Sequence, residues 1–176
     1  MEKFNICGKT PGHVGVVVPD IEAAVRRAWE EFGIGPWRLD ESGPDIPTWH
    51  YGVKAPNPQK LAFAAWNGLQ IEMIQPLPGA DSPCADFLKL TGGVGGIHHV
   101  GLICDSLEEM EEIAEYLRNK GYRESLLARE VGLAGDGDAY FFDTQATLGF
   151  ILEVAAPITI TPEMIARERW YPRKPE

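Results

Sequence analysis

Two stretches with one plan decide the fold: GHVGVVVPD at residues 12–20 and HHVGLICD at residues 98–105. Each contains His-Val-Gly, continues as a short apolar run and ends at an aspartate. A segment that recurs within one chain indicates a duplicated structural unit. In both copies the apolar run predicts a strand. The residues behind it, apolar at three- and four-residue spacing up to Gly33 and Gly121, predict an amphipathic helix.

The two units also end alike, in LQIEMIQP at residues 69–76 and FILEVAAP at residues 150–157. Each of these apolar strands carries a glutamate four residues before a proline. Glycine, proline and asparagine separate further strand candidates between helix and closing strand, at residues 37–40, 48–54 and 61–66 in the first half and 122–129 and 138–143 in the second. We therefore expect an α+β fold, with two tandem βαβββ modules in one curved mixed sheet and the helices outside.

The expected organisation is a single domain over residues 1–176. The first module covers about 12–76 and the second about 97–157. A connector rich in proline and glycine lies at 77–96 and is expected to hold a short helix around residues 85–90. In the tail, residues 158–176, Thr161 as N-cap and Pro162 in the first turn predict a last helix.

Strand alternation sends successive side chains to opposite faces. Val14, Val16 and Val18 are therefore expected to face the helix layer, whereas His13 and Val17 face the other side. A histidine at the start of the first strand and a glutamate in the last strand then point the same way. If the modules curve around a common space, four such side chains converge.

These four are His13, Glu72, His99 and Glu153. Taken one at a time, such a histidine is more often a hydrogen-bonded core residue and such a glutamate an edge or surface residue. Their repetition in both halves favours metal ligation, because a buried carboxylate needs a cation partner. Two imidazoles and two carboxylates balance a divalent cation, and this donor set suits Fe, Co, Ni, Mn or Zn more than Ca. A chelated carbonyl at such an ion acidifies the neighbouring C–H bond, and Glu153 is a candidate base.

Bulk properties exclude several classes of partner. The formal charge of −10 argues against nucleic acid and against an anionic membrane surface. The sequence has neither an apolar stretch of about 20 residues nor a recognisable signal peptide, so a cytoplasmic location is expected. Cys7, Cys84 and Cys104 are scattered and odd in number, which predicts reduced thiols and not a disulfide framework.

The paired His-Val-Gly and glutamate motifs resemble the vicinal oxygen chelate superfamily, over about residues 12–157. Within it, GIHHV at 96–100 and ILE at 151–153 resemble methylmalonyl-CoA epimerase, and the two-histidine, two-glutamate set resembles glyoxalase I. The resemblance implies a metal-dependent epimerase, isomerase or lyase and a small-molecule substrate with vicinal oxygens, such as an acyl-CoA or a 2-oxo compound. It also implies a homodimer.

Two departures from the epimerases are visible. Those enzymes carry glutamine where this chain has Glu72, and a second glutamate on a middle strand where this chain has TWHYGVK at 48–54. His50 is a candidate base there because imidazole titrates near neutral pH, although a hydrogen-bonded strand histidine explains it equally well. One alternative function is a non-haem iron extradiol-type dioxygenase, which would leave Glu72 unexplained. Another is a metal-free binding or resistance protein of the same fold.

Overall fold

The computed structural model describes residues 9–43, 45–132 and 134–174. Cys7 lies outside the described residues. The helices within these ranges are α1 (Ile21–Phe32), α2 (Pro83–Leu90), α3 (Leu107–Asn119), α4 (Gln145–Leu148) and α5 (Pro162–Arg167). The strands are β1 (His13–Val17), β2 (Trp37–Ser42), β3 (Thr48–His50), β4 (Val53–Lys54), β5 (Gln59–Trp66), β6 (Leu69–Pro76), β7 (Gly96–Ile103), β8 (Glu124–Val131), β9 (Gly137–Phe142), β10 (Ile151–Ala155) and β11 (Arg169–Tyr171). None of these helices combines the length and the apolar character needed to cross a membrane.

The strands form one sheet in the order β11-β2-β5-β6-β1-β7-β10-β9-β8-β3-β4. Its centre is the antiparallel pair of β1 and β7. Moving outward, the first half adds β6, β5 and β2, and the second half adds β10, β9 and β8 in the corresponding order. The pairs β1–β6 and β7–β10 are parallel, and the remaining pairs are antiparallel. The predicted α+β class with one large curved sheet is confirmed.

Helices α1 and α3 cover the outer face of this sheet. Asp20 caps α1 by accepting a hydrogen bond from the Ala23 amide, and Gly33 ends the helix with φ 67°. The apolar side of α1 packs with Val16 of β1 and with Val18, which directly follows the strand, as alternation predicts. The apolar side of α3 packs in the same way against β9 and β10. Both helices are therefore held by apolar stripes of the period expected from the sequence.

Helix α2 lies on the opposite, concave face. Its Cys84 packs with Val17, Ile74 and Ile151, which alternate along their strands with the residues that face α1 and α3. The connector helix α2 thus differs from the module helices α1 and α3, which lie outside as expected. The physical reason is its apolar side, including Phe87, which fills one end of the concavity. Cys84 and Cys104 are buried free thiols, as predicted.

The first half contributes a hairpin to the far edge of the second half. Residues 48–54 form β3 and β4, not one strand, because Tyr51 (φ 48°) and Gly52 (φ 81°) make a tight two-residue turn. Strand β3 then pairs with β8. In the opposite direction, β11 pairs with β2 at the far edge of the first half. The tail helix starts after Thr161 as predicted but ends at Arg167, because the chain continues into β11.

Candidate metal centre

The four predicted ligands meet near the centre of the concave face. One donor atom from each of His13, Glu72, His99 and Glu153 lies within 4.8 Å of the others. The His13 and His99 Nε2 atoms are 3.3 Å apart, and each lies 3.3 Å from Glu72 Oε2. Glu153 Oε2 is 2.7 Å from His13 Nε2 and 3.3 Å from His99 Nε2. The four strands β1, β6, β7 and β10, adjacent in the sheet, supply them.

Strand register explains this convergence. In the β1–β7 pair, His13 lies opposite Gly101, and His99 lies opposite Gly15. In the parallel pairs, Glu153 lies beside Gly101 and Glu72 beside Gly15. Each glycine therefore separates a histidine from a glutamate in one row across the sheet. Because neighbouring strands are close together and glycine has no Cβ, the histidine and the glutamate on either side can meet above the glycine.

The glycines of the two His-Val-Gly motifs are accordingly part of the site. A Cβ added at Gly15 would lie 1.9 Å from His99 Cε1, and one added at Gly101 would lie 2.1 Å from His13 Cε1. Each imidazole occupies the space that a side chain would fill in the other half. The third residue of each His-Val-Gly motif therefore carries a sequence signal for the site, because glycine leaves room for the ring of the other motif.

The rows also show which ligands pair. His13 of the first half sits with Glu153 of the second, and His99 sits in the row of Glu72 of the first. The closest contact, 2.7 Å, thus joins the two halves. This pairing follows from the antiparallel contact of β1 with β7, because that contact reverses one motif against the other.

Charges within the cluster shift the pKa values of His99, His13 and Glu153. Burial disfavours the charged form of His99, but hydrogen bonds and charge from Glu153 and Glu72 outweigh burial and raise its pKa to about 9. The pKa of His13 is likewise raised, against burial, mainly by Glu153. Burial opposes ionisation of Glu153, yet the two histidines hold its pKa well below the usual range. The carboxylates therefore attract positive charge to this point of the sheet.

The donor set fits a divalent transition metal ion. Ligands at neighbouring positions around an ion with bonds of ~2.1 Å lie about 3 Å apart. The measured donor separations of 2.7 to 3.3 Å match that spacing. Two carboxylates balance a double positive charge, and two imidazoles favour a transition metal over calcium. His13, Glu72, His99 and Glu153 are thus suited to hold one such ion.

His98 is a neighbour that supports His99. The Nδ1 atoms of the two rings are 2.9 Å apart, and His98 is 1% exposed. Burial and the nearby His99 lower the pKa of His98 to about 3, so its ring is neutral. When His99 Nε2 carries no proton, His99 Nδ1–H donates to His98 Nδ1. That hydrogen bond fixes the tautomer in which Nε2 points to the cluster.

A cavity of about 660 Å³ opens in front of the cluster. Glu72 and Glu153 line it, whereas neither histidine is among the described lining residues. The walls combine apolar residues, such as Phe63 and Phe141, with several charged ones. A molecule in this cavity would therefore meet the two carboxylates first, with the imidazoles behind them.

His50 does not reach this cavity. Its Nδ1 lies 2.7 Å from Asp81 Oδ1, its Nε2 lies 3.6 Å from Asp86 Oδ2, and its ring packs against Tyr51. His50 is not among the described residues that line the cavity. Strand β3 ends at His50, and the turn at Tyr51 and Gly52 follows it directly, near the edge of the sheet. The structure therefore separates His50 from the other candidate residues.

The family model of the Glyoxalase/Bleomycin resistance protein/Dioxygenase superfamily matches residues 12–142. The chain belongs to this superfamily. The matched range contains β1 to β9 and three of the four candidate ligands. No curated protein sequence matches the chain significantly.

Several solved structures share the fold of this chain. Methylmalonyl-CoA epimerase from Mycobacterium tuberculosis is 22% identical, with a TM-score of 0.55, covering 89% of this chain and 91% of its own. A Streptomyces coelicolor methylmalonyl-CoA epimerase in complex with 2-nitronate-propionyl-CoA is 18% identical, with a TM-score of 0.57, covering 88% and 99%. A hypothetical protein from Bacillus halodurans C-125 is 19% identical, with a TM-score of 0.56, covering 87% and 97%. The predicted superfamily is confirmed by the family model, and these structures have the same fold.

Proposed function

We propose that the chain is a metal-dependent enzyme that transfers a proton at the carbon next to a chelated carbonyl group. The reaction is that of an epimerase, an isomerase or a glyoxalase-type lyase. The observation that carries this proposal is the arrangement of the cluster, with two imidazoles buried behind two carboxylates that line a 660 Å³ cavity. A metal-free binding protein has no need for such a set of buried charged groups.

His13, His99, Glu72 and Glu153 would hold the ion. When bound, a divalent transition metal ion polarises a carbonyl oxygen and makes the adjacent C–H bond more acidic. In the neutral form of His99, the hydrogen bond to the His98 ring selects the tautomer whose Nε2 atom can bind the ion. The surrounding residues, including Phe141 at 4.8 Å from the His99 ring, exclude water from the buried side of the site.

We assign the role of base to Glu153. Its carboxylate lines the cavity on the side from which a substrate enters, so it can accept a proton from the carbon of a bound substrate. In an isomerase or lyase Glu153 returns the proton to a neighbouring atom, whereas an epimerase needs a second group that supplies a proton from the opposite face. His50 was the other candidate from the sequence, and its contacts with Asp81 and Asp86 favour Glu153 over it.

The substrate class follows from the ligand set and from the relatives. A carbonyl with a vicinal oxygen offers two donor atoms to an ion with free positions. Structural relatives include methylmalonyl-CoA epimerases, one of them in complex with methylmalonyl-CoA. This supports an acyl-CoA or a 2-oxo compound as the substrate. A homodimer and a cytoplasmic location belong to the same proposal, and light scattering of the purified protein tests the dimer.

Deuterium exchange tests the proton transfer directly. The purified protein is first analysed for bound metal, and the proposal expects one divalent ion per chain. The loaded protein is then incubated in heavy water with methylmalonyl-CoA or with the hemithioacetal of methylglyoxal and glutathione. Deuterium should enter the position next to the carbonyl in at least one of them. Absence of stoichiometric metal contradicts the proposal, and oxygen uptake with catechols without exchange would favour a dioxygenase.

Two matched variants separate ligation from base catalysis. Glu153→Gln should lower the exchange rate by about 10²- to 10⁴-fold, because an amide does not accept the proton. Glu72→Gln keeps a ligating oxygen and leaves the base in place, so it should retain most of the exchange. The metal content of both variants is measured in parallel. Full exchange in Glu153→Gln with bound metal would place the base elsewhere.

A further inference from the structure

One row across the concave face joins Arg38 to the candidate metal centre. Arg38 on β2 lies opposite Phe63 on β5, and Phe63 lies opposite Glu72 on β6. Opposed residues on neighbouring strands project from the same face. Trp37, next to Arg38, is fully buried in the outer cluster with α1, so Arg38 points into the concavity. Two strand spacings of ~4.8 Å place its backbone about 10 Å from that of Glu72.

The Arg38 side chain lies along this row. Its Cζ is 4.6 Å from the centroid of the Phe63 ring, and Arg38, Phe63 and Glu72 all line the cavity. In the described part of the chain Arg38 forms no ion pair with a carboxylate. Glu168, another acidic residue of the cavity wall, is bound by Lys174 at 3.1 Å and Trp170 at 3.3 Å, and the charge of Arg38 acts on it without a direct ion pair. The guanidinium donors of Arg38 are thus available to a molecule in the cavity.

The second half of the sheet shows that the fold does not need this arginine. There, Glu153 lies opposite Phe141, and Phe141 lies opposite Leu126. Leu126 therefore occupies the position that corresponds to Arg38, and it is buried and apolar. In the first half this row ends in a guanidinium, on a wall that also carries Asp40, Glu41 and Glu168, and in the second half it ends in an apolar side chain. A substrate with one anionic group fits the Arg38 end of this row.

We propose that Arg38 binds a carboxylate of the substrate, which makes the substrate a carboxylic acid that also chelates through vicinal oxygens. This inference rests on the proposed metal function, because the chelating end is placed at the cluster. A guanidinium matches a carboxylate with two parallel hydrogen bonds, and stacking on Phe63 fixes its plane. The backbone separation of roughly 10 Å leaves room for a short spacer between the two ends.

Two hydroxamates test this without requiring turnover. Succinic monohydroxamate and butyrohydroxamate both chelate a divalent ion through two oxygens, and they differ by a terminal carboxylate against a methyl group. Calorimetric titration of the cobalt-loaded protein should show about tenfold or greater preference for the succinic compound. Arg38→Gln should reduce this ratio to about one without changing the affinity for butyrohydroxamate. Arg38→Lys should retain an intermediate preference, because it keeps the charge without the fork.

Arg123→Gln is the matched control. Arg123 also stacks on an aromatic ring, with its Cζ 3.8 Å from the Tyr51 centroid, but it is not a cavity-lining residue. Its replacement should leave the preference unchanged. Equal affinities in the unaltered protein, or a preference that survives in Arg38→Gln, would overturn the role of Arg38 while leaving metal chelation intact. If neither hydroxamate binds the cobalt-loaded protein, the proposed metal function and this inference fail together.

Discussion

Gly101→Ala is expected to remove His13 from the metal centre without disturbing the sheet. The added methyl group would lie 2.1 Å from His13 Cε1, whereas ordinary contacts begin at 3.4 Å. The φ of Gly101 lies outside the left-handed range, so the backbone accepts alanine. The three atoms nearest to the added methyl group all belong to the imidazole ring of His13, which must move by more than 1 Å.

A shift of this size is decisive for ligation. Metal–nitrogen distances vary by only about 0.2 Å from their preferred values. The displaced ring can no longer hold Nε2 both near the ion and 2.7 Å from Glu153. We expect metal affinity to fall by about 100-fold or more, which corresponds to about 3 kcal/mol. Crowding should also destabilise the metal-free protein by about 1–3 kcal/mol.

Competition with a coloured chelator measures the affinity, and thermal unfolding with and without metal measures the stability. Gly43→Ala is the control, because its added Cβ meets no atom within 4 Å and its φ is also outside the left-handed range. His13→Ala gives the affinity of a protein that lacks the ring. The double variant His13→Ala, Gly101→Ala should bind metal no more weakly than His13→Ala, since Gly101 acts only through that ring.

Unchanged metal affinity in a folded Gly101→Ala protein would refute this reasoning. It would mean that the ring is free to move aside or that His13 does not bind the ion. Further loss of affinity in the double variant would instead show that Gly101 acts through another contact.

Three further outcomes follow from the same cluster. In metal-free protein the pKa of His99, raised from 6.5 to about 9, stabilises the fold below about pH 6.5, and that contribution is lost as pH rises through 9. The stabilisation that comes from the lowered pKa of Glu153 is present above about pH 4.5 and is lost only in acid. The melting temperature of the metal-free protein should therefore fall between pH 6.5 and 9, and a rise would contradict this arrangement of charges. His98→Phe should weaken metal binding about 10- to 100-fold, and His98→Gln should weaken it less, because glutamine can still form a hydrogen bond. Chelator competition measures both affinities, and an equal loss in the two variants would exclude a hydrogen-bonding role for His98. Removal of metal by chelation should lower the melting temperature of the loaded protein, with no such effect in His13→Ala.

The four clustered side chains were predictable because each belongs to a repeated local pattern. Strand alternation then fixed the face of His13, and the structure bears this out through the packing of Val16 and Val18 on the other side. The pairing of His13 with Glu153 was not predictable. It depends on the antiparallel contact between β1 and β7, and no local pattern specifies which strands of two similar units will meet.

Other differences have equally physical origins. The position of α2 was not predictable from its composition, because an amphipathic helix packs equally well on either face of a sheet that offers apolar residues on both. The hairpin at β3 and β4 was missed because Tyr51 has φ 48°, a conformation that non-glycine residues adopt uncommonly. His50 directly precedes this turn, which places its ring beside Asp81.

Each half of the chain supplies a strand to the outer edge of the other half, so cutting the chain in two would expose both edges. Strand β8 is covered by β3 from the other half, and β2 is covered by β11. A fragment ending in the connector would leave β2 without its cover and its own β3–β4 hairpin without a neighbour, and exposed edges of this kind invite intermolecular pairing. Separate expression of the two halves should therefore yield aggregates, whereas their co-expression supplies each fragment with its missing border and permits reassembly into one sheet.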